Sequence, residues 1–167
     1  DMQAELARMR DLGIETQVNL AGLHGRVGGD AGFEASGYKV FSQWDEDGLI
    51  QYLVTHAPIA DRSFVEIGTG DYTEANTRLL LQKDNWSGTV IECNGDDVRR
   101  LRNSTLYWKY SLNAIEAFAT RENVNALLRD AGVPRDLGLL SIDVDGVGEL
   151  VRQAVQRGRS VKRRLKI

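Results

Sequence analysis

From residue 63 onward, short apolar runs that end at a glycine or an acid alternate with stretches whose leucines and valines recur at helical spacing. That alternation admits few folds. Strands that return after each helix pair in parallel, and a parallel sheet needs helices over both faces. Phe64-Val65-Glu66-Ile67 makes the first run and stops at Gly68, and Thr89-Val90-Ile91 makes the second and stops at Glu92. A third strand is expected in Ala114–Ala119 and a fourth in Leu139-Leu140-Ser141-Ile142-Asp143. Helices are expected over Ala75–Gln82 and Asp96–Leu101, and from an N-cap at Thr120 through Val124, Leu127 and Leu128 to the breakers Gly132 and Pro134. The expected fold class is α/β, Rossmann-like, with a mostly parallel sheet and flanking helices.

Ahead of this unit, Met2, Leu6, Met9 and Leu12 lie about a helical turn apart and predict an amphipathic helix. The Gly-rich stretch from Gly22 to Gly37 reads as a loop or linker. A second helix is expected from near Asp45 through Leu49, Ile50, Tyr52 and Leu53, stopping before Pro58. Seven of the 21 basic residues and none of the 24 acids follow Glu149, so residues 1–149 carry −10 and the last 18 carry +7. The expected organisation is a helix and linker over 1–37, a nucleotide-binding α/β domain over 38–149, and a basic tail over 150–167. Nucleic acid is not an expected partner of that tail, for which a solvated end is the simpler reading.

No run reaches the ~18 apolar residues of a membrane span, and the start lacks a basic-then-apolar signal segment. The lone Cys93 excludes an internal disulfide and fits a reducing compartment, so a cytoplasmic location and no membrane contact are expected. Two histidines and one cysteine offer no zinc site. His56 and His24 read as surface or loop residues. Trp44, Trp86 and Trp108, with Tyr107 and Tyr110, read as core or rim packing.

Three polar groups fall at strand ends, where open α/β sheets bind ligands. Glu66-Ile67-Gly68-Thr69-Gly70-Asp71-Tyr72-Thr73 follows the first strand, and its glycines allow a tight turn and close backbone approach. Glu92, 24 residues after Gly68, is placed to accept hydrogen bonds from ribose hydroxyls. Asp143-Val144-Asp145-Gly146 ends the fourth strand. A nicotinamide dinucleotide site wants a third glycine where Thr73 stands, and Asp71 and Glu74 would repel a pyrophosphate. A phosphate-free ligand with a cationic amine and sulfonium suits this loop better. Glu66, two residues before the first glycine, fits the E/D-x-G-x-G pattern of S-adenosylmethionine enzymes.

Further blocks extend that match: Ser42-Gln43, Glu46-Asp47-Gly48, Glu74-Ala75-Asn76-Thr77-Arg78, Trp86-Ser87-Gly88, Glu122-Asn123-Val124-Asn125 and Leu140-Ser141-Ile142-Asp143-Val144-Asp145-Gly146. Over residues 38–146 the chain resembles a family of bacterial class I methyltransferase-like proteins related to the FkbM-like methyltransferases, often linked to polysaccharide biosynthesis. The resemblance implies that Glu66, Gly68, Gly70 and Glu92 bind S-adenosylmethionine, with Thr120 or its neighbours near the adenine. It implies O-methyl transfer to a hydroxyl of a sugar or small molecule, with Asp143 and Asp145 facing that acceptor.

Gln43 and Asp47 match the family's early motif and are placed along the cleft. Asp143 and Asp145 are the candidates for the base that takes the acceptor's proton, although neighbours two apart on a strand share a face only if the strand ends between them. After Gly146 the family pattern is lost. The expectation is a chain truncated before the fifth strand, with an exposed sheet edge open to oligomerisation. A non-catalytic cofactor-binding remnant and a nicotinamide-dependent oxidoreductase are the alternatives.

Overall fold

Each expected strand forms. β1 (Ser63–Ile67) is buried along its whole length and pairs in parallel with β2 (Ser87–Glu92) on one side and β4 (Leu139–Ile142) on the other. β3 (Leu112–Glu116) pairs in parallel with β2, giving the order β3-β2-β1-β4. The fold is α/β and Rossmann-like. The computed structural model describes residues 1–27, 32–144 and 148–158.

The register aligns the strands by chemistry. Ile67 pairs with Ile91 and Ile142, and Ile91 pairs with Ile115, so four isoleucines cross the sheet in one row. Their successors Gly68, Glu92, Glu116 and Asp143 follow that row along the C-terminal rim. The β-branched row packs on the pleated sheet surface, and the next residue along is polar or glycine because it meets the rim. β3 starts and stops about two residues earlier than the alternation predicts, which moves Glu116 to the rim.

Helices cover both faces. On one, Phe64, Val90, Ala114 and Leu139 pack with Ile50 of α2 (Glu46–His56), Leu80 and Leu81 of α3 (Arg78–Asp84), and Val98 and Leu101 of α4 (Gly95–Arg102). On the other, Val65, Ile67 and Ile91 pack with Val124 and Leu128 of α6 (Val124–Asp130) and Val151, Ala154 and Val155 of α7 (Gly148–Gly158). A short α5 (Thr105–Lys109) joins α4 to β3. α7 holds residues expected in the solvated tail. Val151, Ala154 and Val155 recur at helical spacing and bury one stripe, while Arg152 on the same helix stays half-buried. The basic residues from Arg159 on lie outside the described residues.

The Gly-rich segment also differs from expectation. α1 (Met2–Val27) runs on through Gly13, Gly22 and Gly25, and His24 lies on it. Three side chains anchor its second half: Ile14 and Val18 pack against a small cluster of Ala21, Phe41 and Leu79. That burial offsets the helix-weakening effect of three glycines, about 1 kcal/mol each relative to alanine. Residues 28–31 of the expected linker lie outside the described residues.

Of the three tryptophans expected in core or rim, only Trp86 is buried; Trp44 and Trp108 are 70% and 76% exposed. No helix among the described residues is long and apolar enough to cross a membrane. β4 pairs with β1 alone, and among the described residues no strand lies on its other side.

Leu128 is fully buried between α6 and the sheet. Leu128→Ala is expected to lower unfolding stability by about 2–5 kcal/mol in urea titrations; a loss under 1 kcal/mol would mean that this face is not packed as described.

Candidate functional site

The rim site is built from β1 outwards. Glu66 points into the interior and is 1% exposed. Its Oε1 accepts the Asn76 backbone N–H at 3.0 Å, and its Oε2 accepts the Thr77 N–H at 3.0 Å and the Thr77 hydroxyl at 2.6 Å. Because the Thr77 hydroxyl gives its one proton to Glu66, the Tyr72 hydroxyl, 2.8 Å away, donates to Thr77 in turn. Burial pushes the Glu66 carboxyl above its ordinary range, and the Thr77 and Asn76 donations pull it partly back. Burial beside Glu66 keeps the Tyr72 phenol protonated, well above its ordinary value.

This carboxylate explains why α3 begins three residues later than its leucine pattern predicts. Asn76 and Thr77 spend their N–H groups on Glu66, so the chain makes a turn across the top of β1 before the helix starts at Arg78. Arg78 then clamps the loop from outside, donating to the Tyr72 and Thr73 carbonyls at 3.2 and 2.6 Å and lying 4.4 Å over the Phe41 ring. The Asn76 side chain donates to Ser141 on β4 at 3.3 Å.

The loop that these contacts hold carries three left-handed residues: Gly68 (φ +81), Gly70 (φ +53) and Tyr72 (φ +65). A Cβ on Gly68 would collide with the Asp143 carbonyl oxygen, so glycine is required there by conformation and by space. Gly70 faces open space. Tyr72 holds a conformation unfavourable for a bulky residue, over-determined by its buried ring and its hydrogen bond to Thr77.

Glu92 leans over this loop from β2. Its Oε2 accepts the Thr69 and Gly70 N–H groups at 3.0 and 2.9 Å, and its Oε1 accepts the Asn94 N–H at 2.8 Å and the Cys93 thiol at 3.4 Å. Desolvation pushes the Glu92 carboxyl up, but the donations from Asn94, Gly70, Cys93 and Thr69 together outweigh it and hold the group below its ordinary value of 4.5. Asp71, on the same loop, is held low by Thr73 and then by Arg100, 3.7 Å away.

The structure therefore brings Glu66, Gly68, Gly70, Glu92 and Asp143 to one rim. Asp143 extends the β1–β4 ladder through its N–H to Ile67 (2.8 Å), and its side chain is exposed. Asp145 lies outside the described residues. Thr120 sits half-buried beyond β3. Its hydroxyl accepts the Glu122 and Asn123 N–H groups at 3.2 and 3.3 Å, so it caps the turn that leads into α6. Asp47 is buried, and its Oδ2 gathers the N–H groups of Val40, Phe41 and Ser42 at 2.6–2.8 Å together with the Ser42 hydroxyl. It staples that segment to α2 rather than lining the cleft. Gly48, beside it, sits where a Cβ would strike the Tyr38 backbone. Gln43 is exposed, its carbonyl taken by Lys39. His56 is a surface residue stacked on Tyr52 at 4.0 Å.

Two rim residues escaped the sequence reading. Glu116 falls inside the expected third strand, and Phe118, 63% exposed just past β3, carries no periodic signal. The hydrogen bond from the Ala117 N–H to the Glu92 carbonyl (3.0 Å) ties that segment to the Glu92 end of the rim. A concavity of about 360 Å³ lies at the opposite, N-terminal ends of the strands, around Ser63, Ser87 and Ser111, away from these groups. Among the described residues no cluster of three metal-ligating side chains occurs. Comparison with family models, curated proteins and solved structures finds no match to the chain.

Two substitutions separate the buried acids. In Glu66→Gln one oxygen becomes an NH₂ facing a backbone N–H, because both oxygens already accept; a stability loss of about 1–3 kcal/mol is expected. Asp47→Asn leaves Oδ2 its acceptor role and converts only Oδ1, which has no partner, so it is expected to cost less in the same urea titrations. The reverse order would overturn the hydrogen-bond assignment. Glu92, with a lowered folded value, contributes stability that is full above pH 4.5 and lost as pH falls through that lower value. The stability gap between the native chain and Glu92→Gln is therefore expected to narrow on acidification, and a gap constant into strong acid would refute the role given to the carboxylate.

Proposed function

We propose that the chain is a class I methyltransferase-like domain that binds S-adenosylmethionine at the rim between β1 and β2 and serves O-methyl transfer to a hydroxyl of a sugar or small molecule. One observation carries the choice of cofactor. The backbone N–H groups that a dinucleotide pyrophosphate would use, on the glycine loop and at the start of the following helix, are already taken by the carboxylates of Glu92 and Glu66. A phosphate arriving there meets two acids instead of free donors. A ligand with ribose hydroxyls and positive charge meets acceptors.

The residues fit that ligand in detail. Glu92 Oε1 holds its weakest donor, the Cys93 thiol at 3.4 Å, on the side where a ribose hydroxyl would be the stronger donor. Gly70 leaves open space above the loop. Asp71, on the loop itself, adds negative charge beside it, suited to the methionyl amine and sulfonium. When bound, the cofactor supplies the electrophilic methyl group. Asp143, exposed at the end of β4, is the group placed to take the acceptor's proton. The same occupied N–H groups weigh against the nicotinamide alternative.

Calorimetric titration with S-adenosylhomocysteine is expected to give micromolar binding, while NAD gives none. Glu92→Ala is expected to weaken the first by about tenfold or more, and Asp143→Asn to leave it unchanged while lowering any methyl transfer. Binding of NAD alone, or undiminished binding by Glu92→Ala, would overturn the reading. Binding without turnover on hydroxyl acceptors would make the domain a cofactor-binding module.

A further inference from the structure

α1 has two apolar stripes, and the domain uses only one. Ile14, Val18 and Ala21 face the Phe41–Leu79 cluster. Met2, Leu6, Met9, Leu20 and Leu23 are each more than half exposed, from 52% to 78%. With Gly13 and Thr16 between them, these residues recur in alternating steps of four and three: 2, 6, 9, 13, 16, 20, 23. That is a heptad seam, with Leu6, Gly13 and Leu20 at a and Met2, Met9, Thr16 and Leu23 at d. In the same frame Ile14 and Ala21 fall at b and Val18 at f, the positions that point away from a seam. Among the described residues the domain thus sits on the outer side of α1, and every seam residue is exposed.

We propose that α1 pairs in parallel and in register with α1 of a second copy of this chain. The flanking charges select this occupant and this orientation. Glu5 falls at g and Arg10 at the following e, the spacing at which parallel helices meet across a seam, and twofold symmetry makes the pair twice. In an antiparallel pair e meets e and g meets g, and the two charges would not meet. Both residues are exposed, and neither forms an ion pair among the described residues.

Two features of α1 have no explanation in a single chain and one in a pair. Every residue up to Gly13 is exposed, yet a helical segment of about 12–15 residues with nothing packed on it is marginal in water. Gly13 sits inside the helix although a Cβ there would meet nothing within 4 Å. At an a position, a missing Cβ lets two helix backbones approach.

The test is sedimentation equilibrium of the full chain over a concentration series. The expected mass rises towards twice 18.6 kDa. The double variant Leu6→Glu, Met9→Glu is expected to stay monomeric while keeping a cooperative thermal transition and the wild-type near-ultraviolet spectrum of the α/β domain, since neither side chain is buried in the single chain. Glu5→Arg alone and Arg10→Glu alone are each expected to weaken dimerisation about tenfold, by turning two attractions into repulsions, and the two together to restore it. A monomer at every concentration, or a dimer indifferent to Leu6→Glu with Met9→Glu, overturns the proposal. Failure of the double reversal to restore the dimer overturns the parallel orientation.

Discussion

The Glu66 carboxylate is the contact on which the rim depends. It sits at the end of a fully buried strand, where an unpaired charge would be costly, and three donors from one short segment satisfy it. Because two of those donors are the backbone N–H groups of Asn76 and Thr77, neutralising the acid and shaping the crossover from β1 to α3 are one event. Tyr72 is drawn in behind Thr77, and Arg78, set at the first turn of α3, reaches back to the carbonyls of the same loop. The glycine loop is then held from below, behind and outside.

Glu92 completes the arrangement from the neighbouring strand. Its carboxylate accepts from the loop's free face what Glu66 accepts from its far end, so in a glycine-rich loop of the kind that usually cradles phosphate the Thr69, Gly70, Asn76 and Thr77 N–H groups are already taken. Under the function proposed above, these carboxylates disfavour an anion at the loop and offer acceptors to an uncharged or cationic nucleoside, with room above Gly70.

Much of this was legible in the sequence, because strand ends are marked locally. The runs that close at Gly68, Glu92 and Asp143 located three of the four rim positions. The fourth, Glu116, was missed because Ala114 to Ala119 alternates too weakly to fix where the strand stops, and only pairing with β2 settles its register. The Asn76-Thr77-Arg78 block was recognisable as a motif, yet its work was not, since a backbone N–H donated to a buried acid ten residues earlier leaves no trace in side-chain pattern. Asp47 was misjudged for the same reason: a conspicuous acid in a motif turned out to gather N–H groups of its own neighbourhood. α7 shows the opposite error, a charge count allowed to outweigh the helical spacing of Val151, Ala154 and Val155.

The sequence by itself determined the fold class and the order of strand, glycine turn, helix and acid, because hydrophobic periodicity and turn chemistry act over a few residues and are written directly in the chain. It also fixed the heptad spacing of the α1 stripe. Only the tertiary structure decided what the acids do. Whether a carboxylate is buried and gathers backbone N–H groups, like Glu66 and Asp47, leans across a loop, like Glu92, or is exposed at a rim, like Asp143, depends on which N–H groups the packed sheet brings within three ångströms of it, and those partners lie up to 23 residues away along the chain. Packing likewise decided that one stripe of α1 meets the domain and the other meets solvent, since both are equally apolar until Phe41 and Leu79 choose between them.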